Sequence, residues 1–192
     1  LVFNKVTPPQ GYQQSLLKQV ASGAGLQMDF TTFGLIRSTL PSPSGMLSQN
    51  IPAMHSEAYS ILSIPYDSSK FNTLNDDTFK PDFTGAISYQ YFIGGEATPN
   101  RAVTLKRLAL TTPIPEALHL REMVKALENA GITVRNLIRC QSRSLIGRAL
   151  SVQGQVADIS NGDLRLQTEY GSGSSAAKQF DNHIAFCSSM TI

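Results

Sequence analysis

The chain has 192 residues, of which 41% are hydrophobic and only 16% charged, with a formal net charge of +2. A domain of that length buries roughly 70% of the surface its unfolded chain exposes, so it can hold a core without disulfides or metals. The charge is too small to wrap nucleic acid, which takes clustered Lys and Arg against phosphates. The longest apolar runs, such as Ile61-Leu62 and Leu137-Ile138, fall far short of the ~20 residues of a membrane-spanning helix, and no secretory signal is visible.

Leu1 to Gly25 reads as an N-terminal arm or linker (1–25). Pro8-Pro9 bars regular structure there, and Gln13 to Val20 suits a short helix closed by Ser22-Gly23-Ala24-Gly25. Residues 26–192 then form one domain. Leu26, Met28 and Phe30 alternate with Gln27, Asp29 and Thr31, the period of a half-buried strand. The phase flips at Thr31-Thr32, since Phe33 and Leu35 come next, as one extra residue in a β-bulge would make it do. Pro41 to Gly45 is a turn-rich loop. Glu57 to Pro65 places Tyr59 and Ile61 on one face and Ala58, Leu62 and Ile64 on the other, so it reads as a strand covered on both sides. Tyr66 to Thr84 is polar and reads as a long loop. Ile87, Tyr89, Tyr91 and Ile93 make a strand that ends at Gly94-Gly95, and Val103 and Leu105 begin another.

Pro113 to Gly131 changes period. Leu120, Met123, Val124 and Leu127 follow the spacing of one helix face, Thr112 caps the start, Pro113 and Pro115 suit the first turn, Glu116 and Glu122 lie toward the positive end, and Gly131 supplies the stop. Four further strands are expected at Ile132–Ile138, Ser144–Val152, Asp163–Tyr170 and His183–Ile192, with Asn161-Gly162 as a hairpin turn. The sum is an all-β fold: an eight-stranded antiparallel jelly-roll sandwich with one inserted helix at about 113–130.

The residues that carry chemistry do not assemble in the sequence. The three histidines, His55, His119 and His183, are scattered and lack Cys or carboxylate neighbours at metal-ligand spacing. The His-x-His pair of cupin-like jelly-roll enzymes is absent. Gly171-Ser172-Gly173-Ser174 is a flexible loop rather than a nucleophile elbow. Two cysteines, Cys140 and Cys187, make no disulfide framework and read as buried free thiols. Asp67 and Asp76-Asp77 match no calcium-loop spacing. Gly94-Gly95-Glu96 leads to another strand, so it is a β-turn and not a phosphate loop. Arg135, Arg139, Arg143 and Arg148 read as a patch on solvated strand faces. The expectation is a protein that is not an enzyme, with no catalytic residues, no metal site and no cofactor.

The order of segments is informative. Tyr89-Gln90-Tyr91-Phe92-Ile93-Gly94-Gly95 is followed by Pro99-Asn100-Arg101-Ala102-Val103. The helix Glu116 to Leu127 comes next, then Ile146-Gly147-Arg148-Ala149-Leu150, then the strand Asp163 to Tyr170. From about Leu26 to Ile192 this series resembles the C-terminal part of double-jelly-roll major capsid proteins from the polinton, adintovirus and virophage-like group of DNA viruses. The resemblance implies a structural subunit of an icosahedral virion, made inside the host cell and not secreted. It implies self-association into trimeric, pseudo-hexagonal capsomers that contact neighbouring capsomers, with minor capsid or penton proteins as further candidate partners and no sequence-specific contact to nucleic acid. A complete protein of that family carries a second, N-terminal roll, so the chain is expected to be the second roll of a longer chain, a cleavage product, or a complete single-roll component. Two other classes stay open: a carbohydrate- or ligand-binding β-sandwich, for which Tyr59, Tyr89 and Tyr91 would have to line a groove, and an enzyme on the same scaffold.

Overall fold

The computed structural model describes residues 8–23, 25, 27–68, 86–105, 115–134, 145–151, 155–171 and 177–191. In chain order the elements are α1 (Gln10–Ala21), β1 (Gln27–Leu40), β2 (Gly45–Ile51), β3 (Ala58–Asp67), β4 (Ala86–Ile93), β5 (Glu96–Thr104), α2 (Pro115–Asn129), β6 (Ile146–Ala149), β7 (Leu164–Tyr170) and β8 (Lys178–Thr191). The strands make two four-stranded sheets, ordered β1-β8-β3-β6 and β2-β7-β4-β5.

That order defines a jelly roll. β1 neighbours β8, β2 neighbours β7, β3 neighbours β6 and β4 neighbours β5, so the strand numbers in each of these pairs add to nine. A long antiparallel ribbon, wound into two sheets, gives this pairing. These pairs run antiparallel, with Ile51 opposite Leu164 for β2 and β7, Leu62 opposite Gly147 for β3 and β6, and Tyr89 opposite Val103 for β4 and β5. Between the sheets lies one apolar core, with Ile61, Ile146, Phe180 and Ile184 from one side and Ile51, Tyr89, Tyr91, Val103, Leu164 and Leu166 from the other.

By internal contacts the chain divides into two units, Leu1–Phe30 with Cys187–Ile192, and Thr31–Phe186. The first contains α1, which starts after Pro9, stops at Ser22 before Gly23, and buries none of its residues. The second contains the core and α2.

β7 follows the expected alternation: Leu164, Leu166, Thr168 and Tyr170 are buried. Elsewhere the strands depart from expectation. β2 was not anticipated, because Gln49 stands at one of its inward positions while Met46 is 66% exposed. β5 begins at Glu96, directly after the turn, rather than at Val103. Gly94 and Gly95 both have positive φ, 58° and 81°, as the tight turn closing β4 on β5 requires.

A shift of register between Ala58 and Ser60 sends Ala58 into the core beside Ile61, not to the face of Leu62. The change of apolar phase on β1 does not carry Phe33 and Leu35 inward. From Thr32 to Leu40 the even-numbered residues are half-buried, and Phe33 and Leu35 are exposed. Of the strand expected at 132–138, residues 132–134 lie in no strand and the remainder lies outside the described residues. Asn161-Gly162 forms a turn, but no hairpin: β6 pairs with β3, while β7 pairs with β2 and β4. The long loop expected at 66–84 lies, beyond Ser68, outside the described residues, as do Thr112 and Pro113.

α2 ends as its glycine dictates. The Ile132 N–H donates to the Leu127 carbonyl at 2.8 Å and the Gly131 N–H to Glu128 at 2.9 Å, with Gly131 at φ 77°. This is a Schellman stop. The buried stripe is rotated from the expected one: Glu122, Met123, Ala126 and Ala130 are buried, while Leu120, Val124 and Leu127 are half-buried. The reason is the surface that receives it. Leu62 of β3, Gly147 of β6 and Ala185 of β8 form a shallow seat that admits alanines. A Cβ on Gly147 would stand 2.9 Å from Cβ of Ala126, so the close approach of helix and sheet depends on that glycine.

Candidate functional site

The densest polar cluster of the described residues lies where α2 meets β4, β5 and β6. Glu122 points inward from α2 and is 2% exposed. Its Oε2 accepts from Nη1 of Arg148 on β6, whose Nε donates to Thr98 Oγ1 on β5 at 3.0 Å. Arg121 and Lys125 stand 3.8 and 3.9 Å from the other carboxylate oxygen. Arg148 thus ties the helix to an edge strand of each sheet. It belongs to a buried ion pair, not to a solvated strand face; Arg135, Arg139 and Arg143 lie outside the described residues.

Beside this cluster Tyr89 crosses the sandwich from β4, and its hydroxyl donates to the Gly147 carbonyl at 3.2 Å. His119 meets the Tyr89 ring edge-on, with centroids 5.9 Å apart. Burial pulls the His119 imidazole down from 6.5 to about 4, and burial first, with neighbouring Tyr91 and Glu122, pushes the Tyr89 hydroxyl well up. Both are therefore neutral at pH 7, which is a poor setting for general acid or base work but a good one for packing.

A second polar chain runs through the core. Tyr91 donates to Ser63 Oγ at 2.8 Å, Ser63 donates to Asn182 Oδ1 at 2.6 Å, and Asn182 Nδ2 reaches the Ile36 carbonyl at 3.2 Å and Ser38 Oγ at 3.3 Å. It links β4 in one sheet to β3, β8 and β1 in the other. The sequence offered no signal for it, since a serine and an asparagine facing inward break the strand alternation.

The histidines are not brought together. His55 stacks on Phe186, with centroids 3.7 Å apart and planes at 14°, His119 lies against Tyr89, and His183 is on β8 opposite Leu62. Among the described residues no group of three or more His, Cys, Asp or Glu could hold a metal ion. Cys187 is a half-buried free thiol; Cys140, Asp76-Asp77 and the Ser172 and Ser174 loop lie outside the described residues. Tyr89 and Tyr91 are 1% and 0% exposed, so neither lines a surface groove. No described helix is long and apolar enough to cross a membrane.

Buried polar atoms without a hydrogen-bond partner among the described residues include both amide atoms of Gln49 and Ser60 Oγ. Both residues face protein. Gln49 stands at an inward position of β2, and Ser60 shares its sheet face with Leu62 under α2. Compared with known proteins, the chain matches no family model and no curated protein.

Proposed function

We propose that the chain is a structural jelly-roll subunit of an icosahedral DNA-virus shell, assembling into trimeric, pseudo-hexagonal capsomers. One observation carries most of the weight: among the described residues, eight strands are wound in jelly-roll order, with helix α2 placed between β5 and β6. The same segments, in the same order, carry the resemblance to double-jelly-roll capsid proteins. Chemistry of the surface supports it. A shell protein buries wide areas against copies of itself, and a chain that is 16% charged has few ions to desolvate in doing so.

The two buried polar networks, Glu122–Arg148–Thr98 and Tyr91–Ser63–Asn182, tie helix to sheets and sheet to sheet, as suits a rigid building block. The binding-module reading has less support, because Tyr89 and Tyr91 are withdrawn into the core. The test is the particle itself. Purified protein, measured by light scattering after size exclusion and imaged by negative stain, is expected to form trimers with a six-sided outline. A strictly monomeric protein that retains a small-molecule ligand would overturn the proposal.

A further inference from the structure

Asn161 is the one asparagine of the sequence that is followed by glycine. It is exposed, in the turn that leads into β7. Asn50 is exposed as well, but Ile51 follows it inside β2, and a branched side chain shields the peptide nitrogen between them. Gly162 has no Cβ and offers no such shield. Its nitrogen is therefore the one best placed along the chain to attack the side-chain carbonyl of the asparagine before it.

The turn holds that nitrogen back. The Gly162 N–H donates to the Ile159 carbonyl at 3.0 Å, with Gly162 at φ 70°. Both flanks of the turn are pinned. Ile159 is 2% exposed in the core, and its N–H donates to the His55 carbonyl at 2.8 Å. Ala157 and Ala58 exchange backbone hydrogen bonds at 2.9 and 3.1 Å. On the other side Leu164 is fully buried, and the Asp163 carbonyl accepts from the Gly94 N–H at 3.1 Å. Within the turn, Asp158 Oδ1 accepts from the Ser160 N–H at 2.9 Å.

We propose that Asn161–Gly162 is a deamidation site whose rate is set by the opening of this turn. Once the bond to Ile159 opens, the Gly162 nitrogen gives up its proton and bonds to Asn161 Cγ. The Cγ–Nδ2 bond breaks, and ammonia leaves with that proton. Water then opens the five-membered imide at one of its two carbonyls. One opening gives aspartate; the other gives isoaspartate, in which the main chain runs through Cγ. One water enters and one ammonia leaves, with no oxidant, metal or cofactor. Because the opened form reacts, the folded rate follows its population. Aspartate only adds a carboxylate between Asp158 and Asp163. Isoaspartate lengthens the backbone between two buried anchors, Ile159 and Leu164, so the turn cannot re-form as it was.

The test ages the full chain in mildly alkaline buffer, folded and in concentrated urea, and follows each asparagine by peptide mass mapping. In urea Asn161 is expected to convert ahead of every other asparagine, and in the folded protein at least ten-fold more slowly than in urea. Asp158→Ala removes the acceptor of Ser160 at an exposed position. It is expected to speed the folded reaction by about two- to ten-fold, the worth of one net hydrogen bond, and to leave the rate in urea unchanged. The isoaspartyl fraction of aged protein should melt below Asn161→Asp, which carries the charge on an ordinary backbone. Another asparagine converting first in urea would overturn the site. Equal rates in the folded and urea states, or a folded rate untouched by Asp158→Ala, would overturn control by the turn. Equal melting of the isoaspartyl fraction and Asn161→Asp would overturn the role given to the longer backbone.

Discussion

The hydroxyl of Tyr91 on β4 donates to Oγ of Ser63 on β3 at 2.8 Å, joining the two sheets through the middle of the core. Both residues are fully buried, so the bond exchanges with no solvent. Ser63 in turn donates its hydroxyl hydrogen bond to Asn182 Oδ1, which makes it the middle of a hydrogen-bonded chain and not its end. Tyr91→Phe removes one donor and leaves Ser63 bonded to Asn182; a loss of about 1–2 kcal/mol is expected in urea unfolding. Ser63→Ala strands both the Tyr91 hydroxyl and the Asn182 carbonyl, and its loss should be larger, about 3 kcal/mol. Equal losses for the two variants would show that Ser63 is not the middle of such a chain.

Gly147 sets how closely α2 approaches the sheet. A methyl there would stand 2.9 Å from Ala126 Cβ and 3.2 Å from Leu62 Cδ2, and the first of these has no flexible end to give way. Gly147→Ala is expected to destabilise by about 1–3 kcal/mol through overpacking. Ala126→Gly should recover part of that in the double variant, against the ~1 kcal/mol propensity cost of a helical glycine. Thermal unfolding of the four forms of the cycle measures the coupling, and strict additivity would mean that the contact is relieved elsewhere.

Which parts of this fold could be read from residues follows from how each strand is covered. β7 was legible because one side faces the core and the other does not, so Leu164, Leu166, Thr168 and Tyr170 alternate with Arg165, Gln167 and Glu169. β3 was legible as a strand covered on both sides, but its register shift at Ala58 and Ser60 reversed the faces at one end. β2 was invisible because its inward positions include Gln49, and β1 misled because Phe33 and Leu35 are apolar yet exposed. Among the described residues there are eight strands, and the set differs from the expected one: β2 enters, and residues 132–134 lie in no strand. The cluster at Glu122 and Arg148 escapes the sequence reading because Glu122, with Glu116, reads as lying toward the positive end of the helix, whereas it stands in the middle of α2 on the buried face.

Gln49 gives the sharpest stability forecast. It is 8% exposed, and neither amide atom finds a partner among the described residues. An unbonded buried amide costs about 1–3 kcal/mol. Methionine fills a similar volume with no polar demand, so Gln49→Met is expected to raise stability by about 1 kcal/mol in denaturant unfolding. A loss of similar size would indicate that an ordered water or another polar group satisfies the amide in solution.

The ion pair of Glu122 and Arg148 differs in kind from that of Arg37 and Asp181. Glu122 and Arg148 have side chains 3% and 16% exposed, whereas in the second pair Asp181 is 10% exposed but Arg37 is 49% exposed. Breaking a buried pair leaves an uncompensated charge and costs about 3–5 kcal/mol. Glu122→Gln should show a loss of that order that changes little between low and 0.5 M salt. Asp181→Asn should show a smaller loss that shrinks as salt rises, because the half-exposed Arg37 guanidinium is open to screening. A salt response of Glu122→Gln as steep as that of Asp181→Asn would mean that the helix flank admits solvent.

His119 sets the acid limit of the helix flank. Burial lowers its folded-state value from 6.5 to about 4. Between those two values the unfolded chain binds a proton that the folded chain does not, so stability falls as the pH falls. The contribution is complete above about 6.5 and is lost progressively down to about 4. A shift of that size corresponds to about 3 kcal/mol in order of magnitude. His55, lowered in the same direction by burial, adds to the slope. His119→Gln keeps a polar ring-edge neighbour for Tyr89 but cannot protonate. Its unfolding free energy, measured by urea at pH 7 and pH 4.5, is expected to fall less on acidification than that of the unaltered protein. An NMR titration should place the His119 midpoint near 4, and a midpoint near 6.5 with unchanged acid sensitivity would show that the imidazole is open to water and that carboxylates elsewhere carry the acid response.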